Sequence, residues 1–330
     1  MMTRTDVAIV GAGPCGLAAA IAMKKAGLDA IVFDRSCIVS GITLYPTYMT
    51  FFSTAERLAI GDIPFVVPTE KPTRRDALAY YRAVTAHYDL AVRQYEPVDA
   101  IVPDGEGFIV RSVTTAGESH ETHADAVVIA TGYFGHPNRL GVPGEDLPHV
   151  SHLYKEGHYA FRRNVVVVGG GNSAVDAALD LYHAGARVTI VHFGPSLDRN
   201  IKAWVLPDIT NRIAEGSIAA RWESRVRSIE PTALVLDTPA GVERVAADHV
   251  FLMIGYMPNA ELLYQLDVRI APDTGIPEHD PSTMETSVPG VFIAGVIASG
   301  YDANKTFIEN GRNHGELIAR RLVAGERVGQ

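Results

Sequence analysis

Two short glycine clusters and one cysteine hold the residues best suited to chemistry. Gly11-Ala12-Gly13-Pro14-Cys15-Gly16 follows an apolar run, Asp6 to Val10, and precedes an alanine-rich stretch from Leu17 to Ala26. Gly169-Gly170-Gly171-Asn172-Ser173-Ala174 follows Val165 to Val168 and precedes Val175 to His183. In such a turn the first glycine permits a tight strand-to-helix reversal, and the second lets backbone approach a pyrophosphate. The third position stays small so that helix packs on strand. Free N–H groups and partial positive charge at the helix N-terminus then face the phosphates. One such cluster is weak evidence, because a glycine-rich turn can be only a turn. Two in register, each between strand and helix, imply two bound dinucleotides.

The elements that position these turns repeat as well. The first predicted helix ends at Gly27, and a second strand, Ala30 to Phe33, closes on Asp34. In the later copy the helix stops near Gly185 and the strand Val188 to Val191 ends at His192. Gly11, Gly13, Gly16, Gly27 and Asp34 fall opposite Gly169, Gly171, Ala174, Gly185 and His192 without insertion or deletion. The residue closing the second strand usually meets the adenosine ribose. Asp34 suits ribose hydroxyls as an acceptor, with a solvated strand-end acid as the plainer alternative. His192 has no acid beside it; an acid would repel a 2′-phosphate, so its absence favours NADP over NAD. Arg187, Arg199 and Lys202 supply positive charge nearby, though each could equally be a solvated surface group.

Further strand-like runs set the domain plan. Val127 to Ile129 leads into Ala130-Thr131-Gly132, the ATG turn that flavoproteins place at a domain crossover, and Val250 to Gly255 is its counterpart on the return. Val291 to Ala294 is another buried strand meeting a glycine, Gly295. Asp302 to Glu316 is expected as a helix whose N-terminus faces the flavin pyrimidine ring, where negative charge develops on reduction. Pro137, Gly141, Pro143, Gly144 and Pro148 mark an outward linker, and Tyr256 to Asn259 the return. The expectation is an α/β protein with two Rossmann-like, three-layer dinucleotide-binding domains. An NADPH domain, residues 140–257, is inserted into a discontinuous FAD domain, residues 1–139 and 258–330.

Composition narrows the class. With 330 residues, 47% hydrophobic and 20% charged, the chain is an ordinary globular sequence rather than a disordered, collagen-like or coiled-coil one. A net charge of −9 lacks the footprint of a nucleic-acid binder. No run approaches the roughly 18 apolar residues of a membrane-spanning helix. The N-terminus enters a strand at once, which leaves no room for a signal peptide. Two cysteines, Cys15 and Cys37, make no disulfide framework, and the expected compartment is the reducing cytoplasm. They make no CxxC pair either, and none lies between linker and second glycine cluster. Reduction of thioredoxin through an internal dithiol is therefore excluded. No cluster has zinc-ligand spacing, and no metal is expected.

The chain resembles the bacillithiol-disulfide reductase (YpdA-type) family of FAD/NADPH thioredoxin-reductase-like flavoproteins throughout its length. The resemblance is carried by GAGPCGLAAAI at 11–21, TFFSTAERLAIGDIPF at 50–65, ATGYFGHPN at 130–138, GGGNSAVDAAL at 169–179, IKAWVLPDI at 201–209 and AGVIASGYDANKTFIENGRNHG at 294–315. It implies that Gly11, Gly13, Gly16, Asp34 and Thr131 serve FAD, with Pro14, Arg35, Gly132 and Gly295 counted beside them. Gly169, Gly171, Asn172, Ser173 and Lys202 serve NADPH, with His192 and Arg199. Phe193 stands where the family tends to carry a basic residue. Val296 follows Gly295 where the wider superfamily has an aspartate, a feature the narrower family shares.

Cys15 opens a helix, where N–H dipoles lower a thiol pKa and favour thiolate. It reads either as a small residue filling the packed turn or as the nucleophile on a low-molecular-weight disulfide, forming a mixed disulfide. Cys37 reads as an ordinary semi-buried cysteine. His152 and His158 could approach a flavin, Tyr133 could gate a nicotinamide, and Phe51, Phe52, Tyr45 and Pro46 read as packing. The expected function is a cytoplasmic NADPH-dependent FAD oxidoreductase, a homodimer or homotetramer, that reduces bacillithiol disulfide or a similar small disulfide through Cys15. A ferredoxin or flavodoxin NADP reductase is the first alternative. A flavin monooxygenase and a non-enzymatic redox sensor follow.

Overall fold

The computed structural model describes residues 3–105, 107–303 and 305–326, so Asn304 of the 294–315 segment lies outside the described residues. Strands numbered along the chain are β1 Thr3–Val10, β2 Ala30–Phe33, β3 Ala91–Arg93, β4 Val98–Asp104, β5 Gly107–Val113 and β6 Ser119–Ile129. Then come β7 Val150–Ser151, β8 Asn164–Val168, β9 Arg187–Val191, β10 Ala219–Arg221, β11 Arg225–Glu230 and β12 Ala233–Thr238. The series closes with β13 Gly241–Ala246, β14 His249–Leu252 and β15 Val291–Ile293. The chain forms two compact units, one of residues 1–43, 49–136 and 257–330, the other of 44–48 and 137–256.

The first unit is built on a sheet in the order β3-β2-β1-β6-β5-β4, with β15 also on β6. Strand β6 lies beside β1 on one edge and is long enough to serve two partners on the other. Its first half pairs antiparallel with β5, and Val127 to Ile129 pair in parallel with β15. Val7 to Val10 of β1 are all buried, as expected of a central parallel strand covered on both faces. The helix Pro14–Lys25 starts with proline at its first position, where no N–H is needed, and ends on Lys24 and Lys25. Gly27 (φ 80°) then turns the chain in the left-handed region. Gly16 to Met23 of this helix are buried without a break. Its close neighbour, the helix His314–Glu326, approaches through Gly315, where a Cβ would stand 2.5 Å from Ala19 Cα.

The second unit repeats the parallel plan as β10-β9-β8-β14-β7 and adds the antiparallel sheet β11-β12-β13. Alternation along β8 sends its side chains to opposite layers. Val165 and Val167 pack with Ala174, Ala178 and Leu181 of the helix Asn172–His183, whereas Val166 and Val168 pack with Leu234 and Leu236 of β12. Three layers result. Leu44 to Tyr48, expected within the first domain, cluster with this unit. The Thr47 N–H donates to Lys155 O (3.1 Å) and its hydroxyl to Glu156 Oε2 (3.1 Å).

The expected helix Asp302 to Glu316 is not one element. A short helix spans Ile308–Gly311, and the longer one begins only at His314. Asn310 sets where the short helix begins: its side chain accepts the Phe307 N–H at the N-cap (2.7 Å) and donates to Lys305 O (2.9 Å). Those bonds cap the helix at Ile308, so it does not extend back to Asp302. No helix among the described residues is long and apolar enough to cross a membrane.

Candidate functional site

The first glycine turn is sterically determined. Gly11 has φ 111°, and a Cβ there would stand 2.3 Å from Ala130 O; a Cβ on Gly16 would stand 1.9 Å from Gly11 O. Neither position admits a side chain. Gly13 differs: a Cβ there would meet nothing within 4 Å. Gly13 is also the N-cap of the Pro14–Lys25 helix, which has no side-chain cap and no acid in its first turn. The first-turn N–H groups thus face open space with no protein anion, which fits a pyrophosphate.

Asp34 closes β2 beneath this turn and is nearly buried. Its carboxylate accepts the Ala12 N–H (2.8 Å) and the Ser36 N–H (2.8 Å), so the acid ties strand end to turn. Arg35 Nη1 lies 3.3 Å from His136 Nε2, and its guanidinium fills the place of a side chain on Gly135. Thr131 Oγ1 donates to Asn259 O (3.1 Å), and Gly132 adopts φ 67° in open space.

Cys15 is where the geometry corrects the sequence most. Its Sγ lies against Gly295 and Gly311, where a Cβ would stand 3.1 and 2.9 Å away respectively. Burial pushes the Cys15 thiol up to about 12. Burial thus opposes the lowering expected at a helix N-terminus, because taking a thiolate out of water is costly. Gly295 N–H donates to His314 Nδ1 (3.2 Å), and burial brings His314 down to about 4. His314 is neutral at physiological pH and holds the Gly295 turn as an acceptor. Sequence reasoning missed His314 and Gly311; only the 294–315 resemblance touched them.

The second turn copies the backbone and changes the chemistry. Gly169 (φ 138°) would place a Cβ 2.3 Å from Met253 O. Its N–H donates to Val191 O (2.9 Å), as the Gly11 N–H does to Phe33 O (2.7 Å). Gly171 caps the Asn172–His183 helix, again without a side-chain cap or a first-turn acid, and Ser173 is exposed there. Asn172 receives the Lys202 N–H (2.9 Å) and donates to Asn200 O (2.9 Å), clamping the 200–202 loop onto the helix start.

Several expectations shift here. His192 is buried, its ring lying where a side chain on Gly170 or Gly194 would go, so it packs beneath the turn rather than standing open to it. An acid does reach the place: Asp198 Oδ1 lies 3.5 Å from His192 Nε2, and its Oδ2 would be 3.2 Å from a Cβ on Gly171. The loop brings Asp198 there, and no strand-end rule flags it. Lys202 is already paired with Asp176 (2.7 Å), whereas Arg199 is exposed. Arg187 begins β9 and donates to Asn164 Oδ1 (2.8 Å), about 13 Å along the strand from the nucleotide end. His152, expected near a flavin, sits 3.3 Å from the buried Glu145.

Two glycine turns without side-chain caps, each following a parallel strand of its own sheet, define a two-domain oxidoreductase scaffold. The chain belongs to the pyridine nucleotide-disulphide oxidoreductase family, whose model matches residues 8–295. FAD and a nicotinamide nucleotide are the cofactors that membership implies. The chain is similar to bacilliredoxin reductase Bdr of Bacillus subtilis, 43% identical over 98% of this chain and 99% of that one. Among solved structures it resembles bacillithiol disulfide reductase Bdr (YpdA) from Bacillus cereus, with a TM-score of 0.96 and 42% identity over 98% of this chain and 100% of that one. The Staphylococcus aureus counterpart gives 0.93 and 38%, over 98% of this chain and 100% of its own.

Proposed function

We propose that this protein is a cytoplasmic NADPH-dependent FAD oxidoreductase, a homodimer or homotetramer, that reduces bacillithiol disulfide or a closely related small disulfide. The observation that carries the reading is full-length similarity to bacillithiol disulfide reductases in a chain without a CxxC pair. FAD is assigned to the Gly11 turn with Pro14, Asp34, Arg35, Thr131, Gly132 and Gly295. The nicotinamide nucleotide is assigned to the Gly169 turn with Asn172, Ser173, His192, Arg199 and Lys202. The flavin supplies two-electron transfer, the overall reaction being RSSR + NADPH + H⁺ → 2 RSH + NADP⁺. The protein's part is orientation. Helix N-termini bind the pyrophosphates, Asp34 fixes the first turn, Asn172 fixes the second, and neutral His314 holds Gly295 in place.

Cys15 admits two roles within this reading. As a nucleophile its thiolate attacks one sulfur of the disulfide, releasing one RSH and leaving a Cys15 mixed disulfide that two electrons from NADPH then cleave. Burial raises the Cys15 thiol and so disfavours its thiolate. With its Sγ packed against Gly295 and Gly311, this favours the second role: Cys15 packs the turn, and electrons reach the bound disulfide without a protein sulfur. Stopped-flow NADPH oxidation with a panel of disulfides, on wild type and Cys15→Ala, tests both levels. Failure of every disulfide to accelerate reoxidation refutes the function; loss of turnover only in Cys15→Ala restores the nucleophile.

A further inference from the structure

Resting on the assignment of a nicotinamide nucleotide to the second unit, we infer that Arg225 recognises the adenosine 2′-phosphate and gives the protein its preference for NADPH. The backbone ladder continues past the ends of β9 and β10. His192 N–H donates to Arg221 O (2.9 Å), Ser224 N–H to His192 O (3.0 Å) and Glu223 N–H to Gly194 O (2.9 Å). This zipper lays residues 222–225 beside 192–194, the loop that leaves the strand next to the glycine turn. Arg225 emerges there with its guanidinium over the Phe193 ring, 5.3 Å from the centroid. Phe193 is 64% exposed and touches the buried His192 ring at 4.5 Å. An exposed phenyl ring carrying a cation on its face is a preformed holder for that cation.

Pairing removes most of the other cations near this strand end and leaves Arg225 beside the exposed Arg199. Arg221 is bidentate to Glu243, Arg227 holds Asp237, and Arg244 holds Glu230. Lys202 is committed to Asp176. Arg225 has no carboxylate partner among the described residues, although its strand neighbour across β12 is Asp237. It is thus a cation left over at the strand end. The nearby acid, Asp198, is directed at His192 and the Gly171 turn. Guanidinium geometry suits a phosphate through two parallel N–H donors. Phe193 becomes the positioning residue for the Arg225 guanidinium.

The test is calorimetric binding of adenosine 2′,5′-bisphosphate and of 5′-AMP to the FAD-loaded protein. Bound flavin and thermal midpoint serve as folding controls. Wild type is expected to bind the bisphosphate more tightly, and Arg225→Gln to weaken it about 10- to 100-fold while leaving AMP within about twofold. Arg225→Lys should recover part of that loss. Phe193→Leu should cost the bisphosphate alone about two- to fivefold. Unchanged bisphosphate affinity in Arg225→Gln overturns the inference, as does a wild type that binds AMP equally well. Binding of neither nucleotide by wild type refutes the assignment of this unit to a nicotinamide nucleotide, a distinct failure.

Discussion

The two glycine turns share a backbone and differ in what stands beneath it. Under the first, Asp34 presents a carboxylate that receives two backbone N–H groups. Under the second, the matching residue is a buried imidazole, and His192 Nδ1 finds no hydrogen-bond partner among the described residues. Strand, turn and helix thus set where a dinucleotide lies, whereas the strand-end residue and its loop set which one. The comparison also separates the ends of the helices. The first carries a desolvated thiol in its opening turn, and the second carries an amide that clamps a loop.

The strongest way to break this symmetry is at the glycines. Gly16→Val forces a side chain into Gly11 O, and the expected product is protein without bound flavin, read as visible flavin absorbance per polypeptide. Gly169→Val collides with Met253 O and should instead leave flavin in place while abolishing NADPH binding. Flavin loss from both variants alike would contradict separate sites.

Strand-end changes come next. Asp34→Ala removes acceptors from two backbone N–H groups, each charge-assisted bond being worth about 1.5–3 kcal/mol. FAD affinity should fall at least about tenfold, measured by flavin release on dilution. His192→Ala should leave flavin affinity untouched and lower the thermal midpoint by opening space beneath Gly170.

A smaller effect distinguishes the units by pH. His314 in the first unit sits at about 4 against an ordinary 6.5, lowered by burial. Protonation therefore favours the unfolded chain. Neutral His314 stabilises the fold above pH 6.5, and that contribution is lost as pH falls from 6.5 towards 4, on the order of 1–3 kcal/mol. His314→Gln should flatten the decline in denaturant midpoint over this window, and an unchanged slope would remove His314 from the account. Cys15→Ala should have the least effect, with disulfide turnover within about twofold of wild type.

Much of this architecture is legible in the sequence. The strand Ala30 to Phe33 has the bounds its apolar run suggests, and Gly11/Gly169 and Gly16/Ala174 occupy equivalent places because the turn's sterics admit so few residues. What escaped depends on contacts distant along the chain. Cys15 owes its raised thiol to burial, and the glycines against its sulfur, Gly295 and Gly311, are nearly the whole sequence away. Asp198 reaches the second turn through a loop with no periodicity to betray it. The helix expected over Asp302 to Glu316 starts only at Ile308, where the Asn310 side chain caps the Phe307 N–H. Local rules find turns and strands; they do not find solvent exclusion.

The most direct test of the central claim is the stoichiometry of NADPH oxidation by the FAD-loaded protein with bacillithiol disulfide as acceptor. The account predicts sustained turnover in which one NADPH is consumed for each disulfide and two thiols appear. NADPH consumption that proceeds at the same rate with no disulfide present, or yields no thiol, would contradict it.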